Sequence, residues 1–194
     1  MTRQDCELDR PRAGLRLTQL PEAPGLAHAE ARRFCLDTIK EFYGFDYRPD
    51  WHVDLDLLLR PPAENHYSRQ NRGAFWTLHD ADGGLVATAG IRHLGWKPNI
   101  VALFPSRYER AEEIASLWRL YVRRDRRRHG LGRWFGAVCE REAERLGYGA
   151  MYLHASADAQ PTIAFWESLG YRKLGTWDES THFDKPIGAA AEAA

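Results

Sequence analysis

The sequence predicts an α/β fold of the α+β kind, with a mixed, mostly antiparallel sheet flanked by helices. Apolar runs of strand length alternate along the chain with segments of helical periodicity. One strand–helix–strand unit, at residues 114–155, predicts a parallel pair joined by a right-handed crossover. A chain of 194 residues, 44% of them hydrophobic, can bury a sizeable core, and we expect a single domain over residues 14–187.

The first half of the chain predicts a strand, two helices and a hairpin. GLRLTQL at residues 14–20 alternates apolar and polar residues, which is typical of a strand, and helical spacing of apolar residues follows over 27–42. DLDLLL indicates a short helix that ends before Pro61 and Pro62. Two β-favouring runs in residues 73–94 flank HDADGG, whose turn composition predicts a β-hairpin.

The second half predicts four more strands and two helices. IASLWRLYV (114–122) and AMYLHA (150–155) indicate strands on either side of a helix that begins near Leu131 and ends at Gly147. A second helix is predicted from Pro161 to Gly170. YRKLGTW and THFDKPI then form the last two strands. Residues 1–13 predict a flexible polar arm, and 188–194 a low-complexity tail.

Charge and cysteine content argue against several classes of protein. The 27 basic and 27 acidic residues give a formal net charge of 0, whereas proteins held to nucleic acid by charge carry a basic excess. Cys6, Cys35 and Cys139 are scattered and show no metal-ligand spacing, so we expect neither disulfides nor a metal site. The polar N-terminal segment has no signal pattern, and no apolar run has the length of a membrane span. We therefore expect a cytoplasmic protein without a membrane partner.

The stretch RRDRRRHGLG, residues 123–132, has the composition of an anion site. Gly130 and Gly132 lack Cβ, so the backbone can turn tightly and come close to a ligand. The helix that begins near Leu131 presents unpaired N–H groups and the positive end of its dipole. Positive side chains lie around it at Arg127, Arg128 and Arg133. The pattern predicts a site for a pyrophosphate.

Other interpretations of this stretch fit less well. A P-loop requires Lys and Ser or Thr after its last glycine, and a dinucleotide loop requires a third glycine where Phe135 stands. The arginines at 123–126 precede the loop, and a solvated surface run explains them. Binding of RNA by this run is the minor alternative, because the cluster is short and the net charge is zero.

Residues 127–132, RRHGLG, resemble the Arg/Gln-x-x-Gly-x-Gly/Ala signature of the GNAT N-acetyltransferase superfamily. The flanking segments agree with this resemblance: LWRLYV is similar to the strand before the signature, and IAFWESLGYRKLG to a later helix-to-strand segment. The hairpin at 73–94 and the segment THFDKPI are similar to further strands of the family. The resemblance covers roughly residues 14–187.

The resemblance implies an acetyl-CoA-dependent N-acetyltransferase that needs no metal. Acetyl-CoA would lie in a cleft where the fourth and fifth strands, which are parallel, splay apart. An amine would attack the acetyl carbonyl directly, and the acceptor would be a small molecule. Acetylation of a protein N-terminus or lysine, or a non-catalytic acyl-CoA-binding role, is the alternative. The chain would be a monomer or homodimer. The residues implied to contact the cofactor are Leu120, Tyr121, Val122, Arg127, Arg128, His129, Gly130, Leu131, Gly132, Arg133 and Trp166.

The catalytic groups are less well defined by the resemblance. Only about one alkyl amine in a thousand is neutral at pH 7–7.5, so a general base is needed. Ser116 stands where related proteins often have a glutamate. Glu112 and Glu113 are candidates that would act through water, although exposed loop carboxylates explain them equally. His93 and His154 on strands are alternatives. Trp166 stands where many family members have a tyrosine acid, and indole cannot protonate a thiolate.

The acceptor pocket is expected from the first helices and from residues 43–72 and 95–113. Aromatic residues there would line a pocket or fill the core, and we expect about half to be core. Asp54, Asp56 and Glu64 would attract a cationic amine or lie on a solvated surface. The aromatic and histidine residues of these segments are Tyr43, Phe45, Tyr47, Trp51, His66, Tyr67, Trp96, Phe104 and Tyr108.

Overall fold

The computed structural model describes residues 14–188, and these divide into two compact units. The first unit comprises residues 14–92 and 119–139, and the second comprises 93–118 and 140–188. The predicted arm at 1–13 and all but the first residue of the predicted tail lie outside the described residues.

The described residues contain seven strands and five α-helices. The strands are β1 (Arg16–Gln19), β2 (Ala74–His79), β3 (Leu85–His93), β4 (Ile114–Val122), β5 (Ala150–Ser156), β6 (Arg172–Trp177) and β7 (Ser180–Pro186). The helices are α1 (Leu26–Tyr43), α2 (Pro49–Leu57), α3 (Pro98–Val101), α4 (Leu131–Arg145) and α5 (Gln160–Glu167). The strand order is β1-β2-β3-β4-β5-β7-β6. The mixed, mostly antiparallel sheet with flanking helices confirms the predicted fold class.

The first unit contains the predicted hairpin. β2 pairs with β1 and with β3, antiparallel in both cases. At the turn, Asp80 Oδ1 accepts a hydrogen bond from the N–H of Gly84 at 2.8 Å, and Gly83 adopts φ +81°, a conformation that glycine takes without steric cost. The apolar face of α1 is buried, and Cys35 Sγ lies 3.5 Å from Thr88 Oγ1 of β3.

In the first unit, β4 carries a backbone irregularity at Arg119. This residue has φ +54° in the middle of a strand, a conformation that costs a non-glycine residue about 1–2 kcal/mol. Its carbonyl oxygen accepts a hydrogen bond from Thr88 Oγ1 at 2.9 Å, and its guanidinium binds the buried Asp54 of α2. The strand is therefore held in this shape by side chains of β3 and α2.

The second unit contains the parallel pair. β5 pairs with β4 in parallel through Ile114–Ala150, Ala115–Met151 and Ser116–Tyr152. On its other side, β5 pairs with β7 over all seven of its residues, and β7 pairs with β6. The predicted parallel pair is confirmed. A cluster of buried side chains around Tyr108 and Tyr152 forms part of the core of this unit.

The ends of α4 agree with the sequence signals. Gly147 has φ +81°, its N–H donates to Glu144 O at 2.9 Å, and the N–H of Tyr148 donates to Ala143 O at 3.0 Å. These two bonds form a Schellman motif, which satisfies carbonyl groups in the last turn.

The short helix α3 was not predicted, because residues 95–113 resemble a plain connection in sequence. No helix within residues 14–188 combines the length and hydrophobicity needed to cross a membrane.

Candidate functional site

The glycine loop in the first unit connects β4 to α4. Gly130 O accepts a hydrogen bond from the N–H of Trp134 at 3.1 Å, so Gly130 is the last residue before the helix. Gly130 adopts φ +75° and Arg128 adopts φ +62°. Arg128, His129 and Gly130 are exposed. The loop therefore turns sharply at the surface and leaves the start of α4 accessible.

The first turn of α4 has main-chain donors available for a ligand. The N–H groups of Leu131 and Gly132 have no hydrogen-bond acceptor among residues 14–188, as the geometry of a helix start leads one to expect. No carboxylate of the described chain caps these two groups. Donors aligned with the positive end of a fifteen-residue helix are able to bind an anion.

Arg127 differs from the other arginines of the loop because its side chain folds back onto the protein. Its Nε donates to Val122 O at 2.7 Å, and its guanidinium carbon lies 3.9 Å from the centre of the Phe42 ring. Glu41 Oε2 lies 3.6 Å from Arg127 Nη2. Burial lowers the pKa of Arg127, against the attraction of Glu41. Arg127 thus fastens the loop to α1, whereas Arg128 and Arg133 are exposed.

The arginines that precede the loop are balanced by carboxylates of the first unit. Arg123 binds Asp125 and Asp80, and Arg126 lies 3.6 Å from Asp80. Arg124 lies 3.8 Å from Glu41. Arg124 and Arg126 are exposed, as predicted, while Arg123 is half-buried. These contacts reduce the net positive charge of the run.

The end of β4 contains the three strand residues implied to contact the cofactor. Leu120, Tyr121 and Val122 are half-buried and follow the irregular backbone at Arg119. Burial raises the pKa of Tyr121 to about 12, against the effect of Arg119. The carbonyl of Val122 is already bonded to Arg127. Leu120 is therefore the simpler main-chain partner for an added strand-like ligand.

The remaining predicted site residues lie in the second unit. Glu113 forms an ion pair with Arg110, and Glu112 is exposed. Trp166 is buried, and its ring packs edge-on against Tyr171 with centroids 5.3 Å apart. The pairing of Glu113 with a neighbouring arginine agrees with the interpretation of these carboxylates as loop charges.

A cluster of polar aromatic side chains lies on one face of β4, β5 and β7 in the second unit. Ser116 Oγ accepts a hydrogen bond from Trp118 Nε1 at 2.9 Å, and the Trp118 ring meets His154 with centroids 5.0 Å apart. Tyr152 Oη lies 2.6 Å from His182 Nδ1 and 3.5 Å from His154 Nδ1. Sequence reasoning identified Ser116 and His154 but missed Tyr152 and His182.

Two expectations about the acceptor region are corrected by the structure. Asp54 is neither a surface charge nor an attractor of amines, because it is buried and bound to Arg119 and Tyr67. Asp56 is bound to Arg32 and Tyr47.

Fewer than half of the aromatic residues considered lie in the core. Tyr67 and Tyr108 are buried, and the exposed members are Tyr43, Tyr47, Trp51 and Trp96.

Comparisons with known proteins agree with the predicted family and with the fold. The family model described as "Acetyltransferase (GNAT) family" matches residues 36–171. No curated protein shows a significant match to the sequence.

Solved structures resemble the fold at low sequence identity. A GNAT-family acetyltransferase from Staphylococcus aureus Mu50 has a TM-score of 0.67 and 14% identity, with 90% of this chain and 99% of that chain covered. An acetyltransferase from Streptococcus agalactiae has a TM-score of 0.66, 14% identity and the same coverage. The PaiA N-acetyltransferase from Thermoplasma acidophilum, solved in complex with coenzyme A, has a TM-score of 0.61 and 13% identity, with 89% and 99% covered.

Proposed function

Because the chain belongs to the GNAT acetyltransferase family, we propose that it transfers the acetyl group of acetyl-CoA to a primary amine. A small-molecule amine is the proposed acceptor, and a cytoplasmic monomer or homodimer the proposed form. The observation that carries the proposal is the start of α4, where the N–H groups of Leu131 and Gly132 lack acceptors beside an exposed glycine turn. The complex of the Thermoplasma relative with coenzyme A supports the choice of donor.

The residues of the loop fit a diphosphate. The N–H groups of Leu131 and Gly132 would bind its oxygens, and Arg128 and Arg133 would add charge-assisted contacts from exposed positions. Arg127 would act indirectly, by holding the loop against α1. The main chain of Leu120 would bind the extended arm of the donor as an added strand binds a sheet edge.

The bound thioester supplies an activated acetyl group. The amine nitrogen would attack the carbonyl carbon, the carbon–sulfur bond would break, and the electron pair would leave with the coenzyme A thiolate. The amine must lose a proton in this process, so the chain must supply a base or lower the amine's pKa. The two glutamates suggested by sequence, Glu112 and Glu113, remain the proposed candidates, and Glu113 is paired with Arg110.

Titration calorimetry of the full chain with acetyl-CoA tests the proposal. We expect saturable binding that Gly130→Ala weakens at least about tenfold, because a side chain at φ +75° is strained and forces the turn to rearrange. The matched control is Gly83→Ala, which places the same strain in the hairpin turn, at φ +81° with no atom within 4 Å of the added Cβ. This control should bind acetyl-CoA as the wild type does.

Three outcomes would contradict the proposal in different ways. Absence of binding in a folded sample would remove the donor assignment. Binding without thiol release from any amine of a broad panel would leave a non-catalytic acyl-CoA-binding domain, the alternative favoured by Ser116 and Trp166. Equal affinities of the two glycine variants would show that the anion site lies elsewhere.

A further inference from the structure

In the first unit, the main chain of β4 departs from regular strand geometry at Arg119. This residue has φ +54°, a conformation that is sterically unfavourable for any residue with a Cβ. Such irregularities persist where surrounding contacts impose them, and they concentrate at sites that bind ligands. Arg119 directly precedes Leu120, whose main chain is the proposed partner of the extended arm of the donor.

The side chain of Arg119 is fixed by α2. Arg119 Nε lies 2.9 Å from Asp54 Oδ2, and Arg119 Nη2 lies 2.5 Å from Asp54 Oδ1. The same Nη2 donates to Trp51 O at 3.0 Å. Asp54 is 3% exposed, and it accepts a further hydrogen bond from Tyr67 Oη at 2.6 Å. A bidentate pair fixes the orientation of the guanidinium plane as well as its position.

The carbonyl group of Arg119 is fixed by β3. Thr88 Oγ1 donates to Arg119 O at 2.9 Å, and the same hydroxyl lies 3.5 Å from Cys35 Sγ of α1. The peptide bonds within residues 14–188 include no cis bond, and in a planar trans peptide the N–H points opposite to the carbonyl group. The N–H of Leu120 therefore points away from Thr88.

The N–H of Leu120 takes no part in the pairing of β4 with β5. The described pairs of these two strands begin at Ile114 and end at Ser116 of β4, and they lie in the second unit. The extended arm of coenzyme A contains amide groups, whose carbonyl oxygens accept hydrogen bonds. A main-chain N–H with a fixed direction can bind such an arm as the edge of a sheet binds an added strand.

We propose that Asp54 and Thr88 are positioning residues for donor binding, because through Arg119 they direct the N–H of Leu120 towards an amide group of the donor's arm. This inference rests on the proposed function. Both side chains are buried, and they act without contacting the donor. Without them the strand relaxes towards ordinary φ, and only the fraction of molecules with the directed N–H binds the arm.

The test compares two ligands by titration calorimetry of the full chain. Acetyl-CoA carries the arm and the diphosphate, whereas 3′-phosphoadenosine 5′-diphosphate carries the diphosphate without the arm. A positioning role predicts a loss of affinity for acetyl-CoA alone, and a general loss of structure predicts a loss for both. Failure of the wild type to bind either ligand would overturn the donor assignment and this inference together. Wild-type affinity for acetyl-CoA no higher than for the nucleotide would overturn this inference alone.

The first pair of variants replaces both partners of the ion pair by neutral residues. In the double variant Asp54→Asn, Arg119→Gly, glycine adopts positive φ freely, whereas in Asp54→Asn, Arg119→Ala the methyl group opposes it. We expect the alanine variant to bind acetyl-CoA about tenfold more weakly than the glycine variant, the size of the steric penalty, with equal affinities for the nucleotide. Glycine destabilises strands relative to alanine, so a role in stability alone predicts the opposite order. Equal affinities for acetyl-CoA would overturn the positioning role of Asp54.

The second pair of variants, Thr88→Val and Thr88→Ser, leaves the ion pair intact. Valine keeps the shape of threonine without the hydroxyl, and serine keeps the hydroxyl without the methyl group. We expect Thr88→Val to weaken acetyl-CoA binding about fivefold and Thr88→Ser to bind as the wild type does. Packing alone predicts the opposite order, because only serine leaves a cavity.

Two results with the Thr88 variants would overturn the inference. One is full affinity of Thr88→Val for acetyl-CoA, and the other is an equal loss of affinity for the nucleotide. Should the first pair of variants fail to fold, the Thr88 pair alone decides whether the held carbonyl of Arg119 directs donor binding.

Discussion

Arg119 Nε lies 2.9 Å from Asp54 Oδ2 in a buried ion pair that joins β4 to α2. The same arginine adopts the positive φ that breaks the regular course of β4. Tyr67 Oη donates a further hydrogen bond to Asp54 Oδ2 at 2.6 Å. The ion pair therefore stabilises a backbone conformation that the residue itself disfavours, immediately before Leu120, Tyr121 and Val122.

Asp54→Asn should destabilise the chain strongly. The change leaves the Arg119 guanidinium buried without its counter-charge, and breaking such a pair costs about 3–5 kcal/mol. Urea unfolding followed by circular dichroism measures this. The control is Asp56→Asn, which breaks a pair with Arg32 nearer the surface and should cost less than about 1 kcal/mol. Equal losses in the two variants would contradict the role given to the buried pair.

The ionisation of Asp54 should make the free energy of unfolding depend on pH in acid. Burial alone would raise the pKa of Asp54, but the Arg119 charge and hydrogen bonds outweigh it and hold the pKa below its ordinary value of 3.8. A pKa that is lower in the folded state gives stability that is present above 3.8 and is lost as pH falls below it. Urea midpoints between pH 6 and pH 3 should thus fall more steeply for the wild type than for Asp54→Asn. Parallel slopes would argue against this linkage.

Gly90→Ala should destabilise the first unit through overpacking. A Cβ at this position of β3 would lie 2.6 Å from a ring carbon of Phe75 and 2.7 Å from one of Tyr67. Both rings are buried, and relieving such contacts costs about 1–3 kcal/mol. At Gly149 an added Cβ meets no atom within 4 Å, so Gly149→Ala should be neutral or stabilise by up to about 1 kcal/mol. Thermal unfolding of both variants checks this; a neutral Gly90→Ala would show that the two rings can move apart.

Substitution of an arginine within the glycine loop should weaken acetyl-CoA binding more than substitution of an arginine before the loop. Arg128→Gln is expected to weaken acetyl-CoA binding about tenfold, or about 1.4 kcal/mol, and to reduce the loss of affinity with added salt. Arg126→Gln is the control, because Arg126 is turned to Asp80 and Asp125; its affinity should stay within about twofold of the wild type. Calorimetry at two salt concentrations measures both. A larger loss of affinity in Arg126→Gln than in Arg128→Gln would place the phosphate contacts on the arginines at 123–126.

Most of the fold could be predicted because its signals are local. Turn composition at HDADGG, helical spacing in α1 and glycine stops such as Gly147 lie within a few residues of the structure they determine. The start of α4 was predicted for the same reason, since a strand, two glycines and an amphipathic helix follow one another directly.

The residues that could not be predicted depend on partners distant in sequence. Asp54 and Arg119 are 65 positions apart, and Tyr152 and His182 are 30 apart. Periodicity places Tyr152 and His154 on one face of a strand, but it does not give the register that sets His182 opposite His154. An arginine with positive φ within a strand contradicts local preference, and the contacts of Arg119 with Asp54 and Thr88, both distant in sequence, account for it.

Because Cys35 is buried, the reactivity of its thiol can be used to measure local opening between α1 and β3. Its sulfur lies against Thr88 beneath α1, and burial raises its pKa to about 12, so the native chain should hardly react with a disulfide-exchange dye. In a Cys6→Ser, Cys139→Ser background, the labelling rate would then report how often α1 lifts from β3. A donor that binds at the loop, to which Arg127 and Phe42 link this helix, should slow that labelling.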